Sequence, residues 1–554
     1  MANISAAGNT PRIYDQDRES LRSSLGRTVF VCLSILVAFG AVSVQLVRLA
    51  LVPRPSLQAA PAGLASDMFS RPDVVDRKGR LLATDVGLPT LFADPFLIAD
   101  ADETLEKLAT VYRGVNTLKN RRALVDTRRR YHLLRRGVTP ALAQKIHDLG
   151  LPGIAFKWEP KRSYPGGRLA GHVLGYVNGN NRGVTGIERY MNTQPGVERA
   201  FVARVNTAQP LSLALDMRAQ FGLEQELIEA RKKHQAAAAI GIVIDVETGE
   251  IPAAASVPGV DPSLTDEVLA KTRRNRLTND VYELGSVFKI ITMAMSLDLG
   301  TVSPAARIRV DEALEIGGYV IRDKYLRKPK LSLTEVFVRS SNVGAAILAQ
   351  ATGAEKQRKF LEKLGLTTAI RRPDLQTVSP LLPKKWGEVE TATIGYGHGI
   401  AVTPMHLAVA MATIVNGGYE VIPTYLSRSE RRPPKRRRVL SSKASKLVRQ
   451  MLRANVILGT GRAADVPGYA VGGKTGTADV SRGGRYDGSS VITSFAAAFP
   501  IDQPAYVVLV TLFDPAPNGR GNRTRAAAKN AAPLAGRVIA RLAPLLGVSA
   551  KSQP

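Results

Sequence analysis

The sequence predicts an α/β (α+β) protein in which an antiparallel sheet is flanked by helices and held behind a single transmembrane helix. Three observations carry that expectation. Two strand–turn–strand pairs, Ala239–Ser256 and Thr493–Phe513, stand far apart with helical runs between them. A long uncharged apolar run lies near the N-terminus. The composition is that of a folded chain, 45% hydrophobic and 22% charged over 554 residues, enough for two or three domains.

Residues 1–27 read as a short arm whose Arg12, Arg18, Arg22 and Arg27 favour a cytoplasmic N-terminus. Residues 28–47, TVFVCLSILVAFGAVSVQLV, are free of charge and long enough at helical rise to span the hydrocarbon core. A cleaved signal peptide is the rival, with Ala60-Pro61-Ala62 as its small-residue site. That run exceeds a typical signal core and the small residues lie well past its end, so the sequence favours an uncleaved anchor. Everything after it is then extracytoplasmic. Residues 48–70, rich in Pro, Ala and Ser, read as a linker.

Within 71–210, Arg71–Ala83 places two strand-like pieces around a polar Gly turn, and residues 102–150 show helical spacing with many exposed Lys and Arg. No catalytic set stands out there. Residues 211–545 hold the two strand pairs and the helical runs; Arg525–Leu545 is expected to be helical with a kink at Pro533, and 546–554 form a tail.

Lys and Arg number 76 against 47 Asp and Glu, a formal charge of +29 that favours anionic partners such as lipid headgroups or a carboxylate-bearing polymer. Nucleic acid is not expected, because no module of recognisable spacing is present. Cys32 is the only cysteine and the six histidines have no ligand spacing, so no disulfide, metal or other cofactor is expected.

Three motifs follow in order: Ser286-Val287-Phe288-Lys289, Ser340-Ser341-Asn342 and Lys474-Thr475-Gly476. A Ser and a Lys three apart on a helix share a face, so the amine can take the hydroxyl proton. An isolated S-x-x-K is better read as a cap and a solvent-reaching lysine; order and context make the difference. The segment Ser286–Leu299 is apolar almost all round, which predicts a buried helix with Ser286 near free backbone N–H groups that can serve as an oxyanion hole. Burial beside a second cation, Lys474, would lower the Lys289 pKa toward a neutral amine. Ser340 and Asn342 are expected in a loop after a helical Ser332–Arg339. Lys474-Thr475-Gly476 fits an edge strand lining the cleft, with Gly476 allowing close approach of substrate backbone.

Tyr282–Lys289, Ala470–Ala478 and the intervening Ile394–Met405 together resemble the penicillin-binding transpeptidases. Asp76-Arg77-Lys78-Gly79 and Gly186-Ile187-Glu188 resemble the elongated non-catalytic pedestal of the class B, monofunctional members. The resemblance implies a penicillin-binding/serine β-lactamase-like transpeptidase domain at 211–545 and a dimerisation-type pedestal at 71–210. It also implies a D,D-transpeptidase in which Ser286 attacks peptidoglycan stem peptides ending in D-Ala-D-Ala, with β-lactams as mimics. Within it Lys289 is the base, Ser340 passes a proton to the departing amine, and Asn342 binds the substrate amide. Lys474 adds positive field, Gly476 admits the substrate backbone, Thr475 and Thr477 can bond the terminal carboxylate, and the N–H of Thr477 is the second oxyanion donor. Val287 departs from the Thr of many relatives, on the side away from the Ser–Lys face.

Asn342 is more like the septal cell-division enzyme than the elongation enzyme, which commonly has Asp there. The resemblance also implies an inner-membrane location and partnership with a lipid-linked-precursor polymerase and other division proteins. A serine β-lactamase shares the motifs, but anchor and pedestal argue against it. A membrane β-lactam sensor would carry a cytoplasmic effector, for which the arm is too short, and a non-catalytic wall-binding scaffold would tolerate loss of Ser286. The basic run Arg428–Arg438 is read first as a solvated loop, with an anionic partner as the sharper alternative.

Overall fold

Strand pairing begins around the Asp76-Arg77-Lys78-Gly79 turn. Asp76 is fully buried because its carboxylate caps that turn: Oδ1 accepts from the Lys78 and Arg80 N–H groups at 2.8 and 2.9 Å, and Oδ2 from Met217 N–H at 3.0 Å. The flanking strands are β1 (Val74–Val75) and β2 (Leu81–Ala93), paired antiparallel as the sequence predicts. Strand β2 also pairs with β3 (His132–Arg135) and β4 (Ile154–Ser163), and β1 pairs in parallel with β5 (Leu211–Ser212). The computed structural model describes residues 32–43, 70–194, 209–323, 328–428, 436–482, 485–517 and 525–551.

Helices α1 (Ala101–Val111), α2 (Leu118–Val125) and α3 (Pro140–His147) follow the expected periodicity, and their Leu105, Leu108, Leu124 and Ile146 pack with Leu91 and Ala93 of β2. Side chains of Asp100, Thr117 and Thr139 cap their N-termini, each a stabilisation of about 1 kcal/mol. One piece of the helical expectation for 102–150 fails. His132–Arg135 is a strand, because pairing with β2 satisfies its backbone where an isolated turn of helix would not.

The second region is built on five strands: β6 (Ala238–Asp245), β7 (Ala253–Val257), β8 (Gly472–Arg482), β9 (Arg485–Phe499) and β10 (Tyr506–Phe513). Among the described residues they form one sheet in the order β8-β9-β10-β6-β7, every neighbour antiparallel, as the two strand pairs imply. Chain-distant β6 and β10 meet in the middle, with Asp245 opposite Tyr506 and Ala238 opposite Phe513. Buried on both faces, β6 and β10 are therefore near-continuous apolar runs.

Helices cover both faces. They are α4 (Met217–Lys233), α5 (Lys289–Asp298), α6 (Leu333–Val338), α7 (Asn342–Thr352), α8 (Pro404–Val415), α9 (Ser442–Leu458) and α10 (Ala531–Leu542). Leu223, Leu227, Leu534 and Ile539 of α4 and α10 pack on Val243, Phe495 and Val508 of one face. Ile291, Met295, Met405 and Met411 of α5 and α8 pack with Ile240, Ile242 and Leu509 of the other. Pro533 does not kink the last helix. It falls in the first turn of α10, where a missing N–H leaves no intrahelical acceptor unmet, so the helix runs through it unbroken.

Residues 1–67 and 68–554 are separate units. In the first, residues 32–43 of the expected anchor are helical and exposed, while 28–31 and 44–47 lie outside the described residues. Among the described residues no helix is long and apolar enough to cross a membrane. The arm, almost all of the linker, residues 429–435 of the basic run and the last residues of the tail likewise lie outside them.

Candidate active site

The three motifs converge on the Ser340 hydroxyl, which Lys289 and Lys474 both reach. Ser286 is not on the helix proper: Gly285–Phe288 is a 3-10 turn, and α5 starts at Lys289. In a 3-10 turn residues i and i+3 eclipse, so the Ser–Lys spacing works through tighter geometry than the continuous helix expected from the sequence. Lys289 Nζ lies 3.0 Å from Ser286 Oγ. It also lies 2.7 Å from Ser340 O, 3.1 Å from Ser340 Oγ and 2.7 Å from Asn342 Oδ1.

A neutral amine has two N–H donors and one lone pair. The two shortest contacts are to carbonyl oxygens, which can only accept, so both hydrogens are committed there. The lone pair is left for a hydroxyl, with Ser286 Oγ at 3.0 Å and Ser340 Oγ at 3.1 Å. Lys289 is fully buried, and its pKa lies well below the ordinary lysine value, first through desolvation and then through Lys474. Lys474, also fully buried, is lowered to about 7 by desolvation and donates to Ser340 Oγ at 3.0 Å. Both amines therefore flank the same Ser340 hydroxyl.

The second motif is only partly loop. Arg339–Ser341 link α6 to α7, with Ser340 at φ +58°, while Ser341 caps α7 by accepting from Gly344 N–H at 2.8 Å, and Asn342 is the first residue of that helix. A left-handed Ser costs about 1–2 kcal/mol, offset here by Ser340 N–H on Phe337 O, Ser341 N–H on Val336 O and the Lys289 bond to Ser340 O. Upstream, the helix expected at Ser332–Arg339 is present as α6, started by a capping box of Ser332 and Glu335. One carboxylate missed by motif reading meets this corner: Asp323 accepts from Ser341 Oγ at 2.5 Å and from Asn342 N–H at 2.7 Å. Nothing in its sequence surroundings marked it.

The third motif occupies β8, at the edge of the sheet as expected. Strand parity puts Lys474 and Gly476 on one side and Thr475 and Thr477 on the other. Gly476 also has a structural reason. A Cβ there would sit 2.6 Å from Leu284 O and 3.1 Å from Val287 N, so glycine is what lets β8 press against the turn carrying Ser286. Gly397 backs the same turn: a Cβ would fall 2.1 Å from Gly285 O, which explains that glycine of the 394–405 stretch. Thr477 is exposed and its Oγ1 accepts from Ala527 N–H at 3.2 Å. Thr475 Oγ1 is 2.6 Å from Thr460 Oγ1, a second residue that motif reading missed.

Residues 239–540 match the family model described as penicillin binding protein transpeptidase domain, and residues 69–194 match that of the penicillin-binding protein dimerisation domain. The chain is 36% identical over 493 residues to a Caulobacter vibrioides protein named "Probable peptidoglycan D,D-transpeptidase FtsI", covering 87% of this chain and 82% of that one. It is 31% identical over 471 residues to Escherichia coli peptidoglycan D,D-transpeptidase FtsI, covering 80% and 79%. Among solved structures, penicillin binding protein 3 of Mycobacterium tuberculosis complexed with aztreonam is similar with a TM-score of 0.65 at 25% identity, covering 87% of this chain and 97% of that one.

Proposed function

The chain belongs to the penicillin-binding protein transpeptidase family, and from that premise we propose that it is a class B peptidoglycan D,D-transpeptidase working through a Ser286 acyl-enzyme. The observation that carries this reading is the Lys289 amine, buried with no carboxylate among the described residues at hydrogen-bond distance and with a lone pair in reach of Ser286.

Ser286 Oγ attacks the penultimate D-Ala carbonyl of a stem peptide while its proton passes to Lys289. The developing oxyanion is met by the backbone N–H groups of Ser286 and Thr477. Collapse breaks the peptide bond, and the departing D-Ala nitrogen takes a proton through the Ser340 hydroxyl, which both amines flank. An amine of a neighbouring stem then attacks the ester, gives up one proton, and frees Ser286. Asn342, with Oδ1 held by Lys289, has its amide N–H groups for the donor peptide. Lys474 in its protonated form supplies positive field and Thr475 and Thr477 supply hydroxyls for the terminal carboxylate, and Gly476 keeps that strand against the nucleophile.

A β-lactam placed in the donor's position acylates Ser286 and stays. Ser286→Ala is expected to abolish labelling by a fluorescent penicillin while the melting temperature holds; undiminished labelling would overturn the assignment.

The same reading places the enzyme in septal wall synthesis, supported by Asn342 and by relatives named FtsI. It includes residues 28–47 as a single-pass inner-membrane anchor, an extracytoplasmic catalytic region, and a lipid-linked-precursor polymerase among its division partners. A fluorescent fusion of the full chain is the check. A membrane-bound ring at the septum supports the reading, side-wall placement favours an elongation role, and a diffuse signal removes the anchor.

A further inference from the structure

We propose that Asp323 is a positioning residue for the proposed acylation, holding the Ser340-Ser341-Asn342 corner in place and setting the electrostatic balance at Lys289. The proposal rests on the transpeptidase reading above and extends it to a residue outside the three motifs.

Asp323 follows directly on a small antiparallel hairpin, Leu314–Ile316 with Tyr319–Ile321, whose Tyr319 and Val320 are exposed. An exposed hairpin ending in a carboxylate would ordinarily face solvent. Instead both oxygens are spent on one corner: Oδ2 accepts from Ser341 Oγ and Oδ1 from Asn342 N–H. Each bond fixes something the reaction needs.

Ser341 Oγ, by donating to Asp323, keeps a lone pair directed at Gly344 N–H, so cap and clamp support one another. Asn342 N–H lies at the start of α7 and has no acceptor within the helix. Giving it a carboxylate fixes the residue whose Oδ1 takes one of the two Lys289 hydrogens. Between the two clamped residues and α6 sits Ser340 at positive φ, whose carbonyl takes the other hydrogen. If this corner relaxes toward ordinary backbone angles, both acceptors leave Lys289 and its lone pair is no longer reserved for a hydroxyl.

Charge gives the second argument. The groups around Lys289 are Ser286 on the 3-10 turn, Ser340 and Asn342 at the α6–α7 corner, Lys474 on β8, His398 in the 394–405 stretch and Asp323. Lys474 disfavours the protonated form of Lys289 and Asp323 favours it, the only carboxylate among the described residues to do so. Its removal therefore lowers the Lys289 pKa further, and the neutral amine persists to lower pH.

The test is the pH dependence of acylation by a fluorescent penicillin, in wild type, Asp323→Asn and Ser341→Ala full-length protein. A wild type that takes no label refutes the transpeptidase reading itself. Given labelling, Asp323→Asn is expected to acylate about tenfold more slowly at the plateau. Its acid limb is expected to move about half a pH unit or more to lower pH, which a merely structural loss would not do. An acid limb that stays where the wild type has it overturns the proposal. Should Asp323→Asn fail to fold, Ser341→Ala decides, because it cuts one bond of the clamp and leaves the charge. Slower acylation with an unmoved acid limb supports the clamp, and a wild-type rate overturns it.

Discussion

Two regions of this chain bury cations, and they treat them in opposite ways. In the pedestal, Arg71 and Arg162 are buried against acids: Arg71 bonds Glu188 at 2.9 Å, and Arg162 bonds Glu188 at 2.7 Å and Asp85 at 3.1 Å. Their remaining donors go to backbone and amide oxygens, such as Glu188 O, Pro72 O and Asn192 Oδ1. In the cleft, Lys289 and Lys474 are equally buried, yet the groups at hydrogen-bond distance are hydroxyl, carbonyl and amide oxygens. Guanidinium stays charged, so burying it requires carboxylates. An amine can instead lose its proton, so leaving it without a carboxylate turns burial into basicity. The first arrangement holds a shape; the second prepares a reaction.

The largest effect that would break this contrast is at Lys289. Lys289→Met, close in volume, is expected to slow penicillin acylation about 10²–10⁴-fold, the range for a lost general base, with the unfolding midpoint in urea unchanged or raised. A lowered midpoint would mean that this lysine is structural like its pedestal counterparts. Arg162→Met is the mirror experiment. It leaves Glu188 and Asp85 buried with a cation gone, and the expected loss is about 3–5 kcal/mol of stability in urea titration, with the acylation rate per folded molecule kept.

The smallest effect sharpens the comparison through pH. Lys474 titrates at about 7 when folded, against about 10.4 in the unfolded chain. Between those values the unfolded state binds more protons, so this group makes stability rise with pH across that window, and below pH 7 its buried charge opposes folding. Lys474→Met is therefore expected to flatten the climb of urea stability between pH 7 and 10, while Arg162→Met leaves that slope intact. An equal slope in wild type and Lys474→Met would mean that the amine is charged in the fold.

Much of this protein is legible in its sequence wherever a property is periodic or local. Apolar runs broken by turn residues give β6, β7 and β10, and apolar character all round gives the buried helix α5. The resemblance of short motifs gives the identities of Ser286, Lys289, Ser340, Asn342 and Lys474–Thr477. Several reasons are not legible. Gly476 reads as room for substrate, but the contact it permits is with Leu284 and Val287, nearly two hundred residues earlier. Asn342 reads as part of a loop, because the cap that makes it a helix start is Ser341 held by Asp323.

The sequence by itself determined which groups are present and which strands and helices they ride on, because spacing of three and alternation of two are properties of the local backbone. Tertiary structure alone decided the state of those groups. Whether a lysine is a cation or a base depends on which oxygens surround it and how much water is gone. Around Lys289 those oxygens come from a turn at 286, a corner at 340–342 and a carboxylate at 323 that only folding brings together.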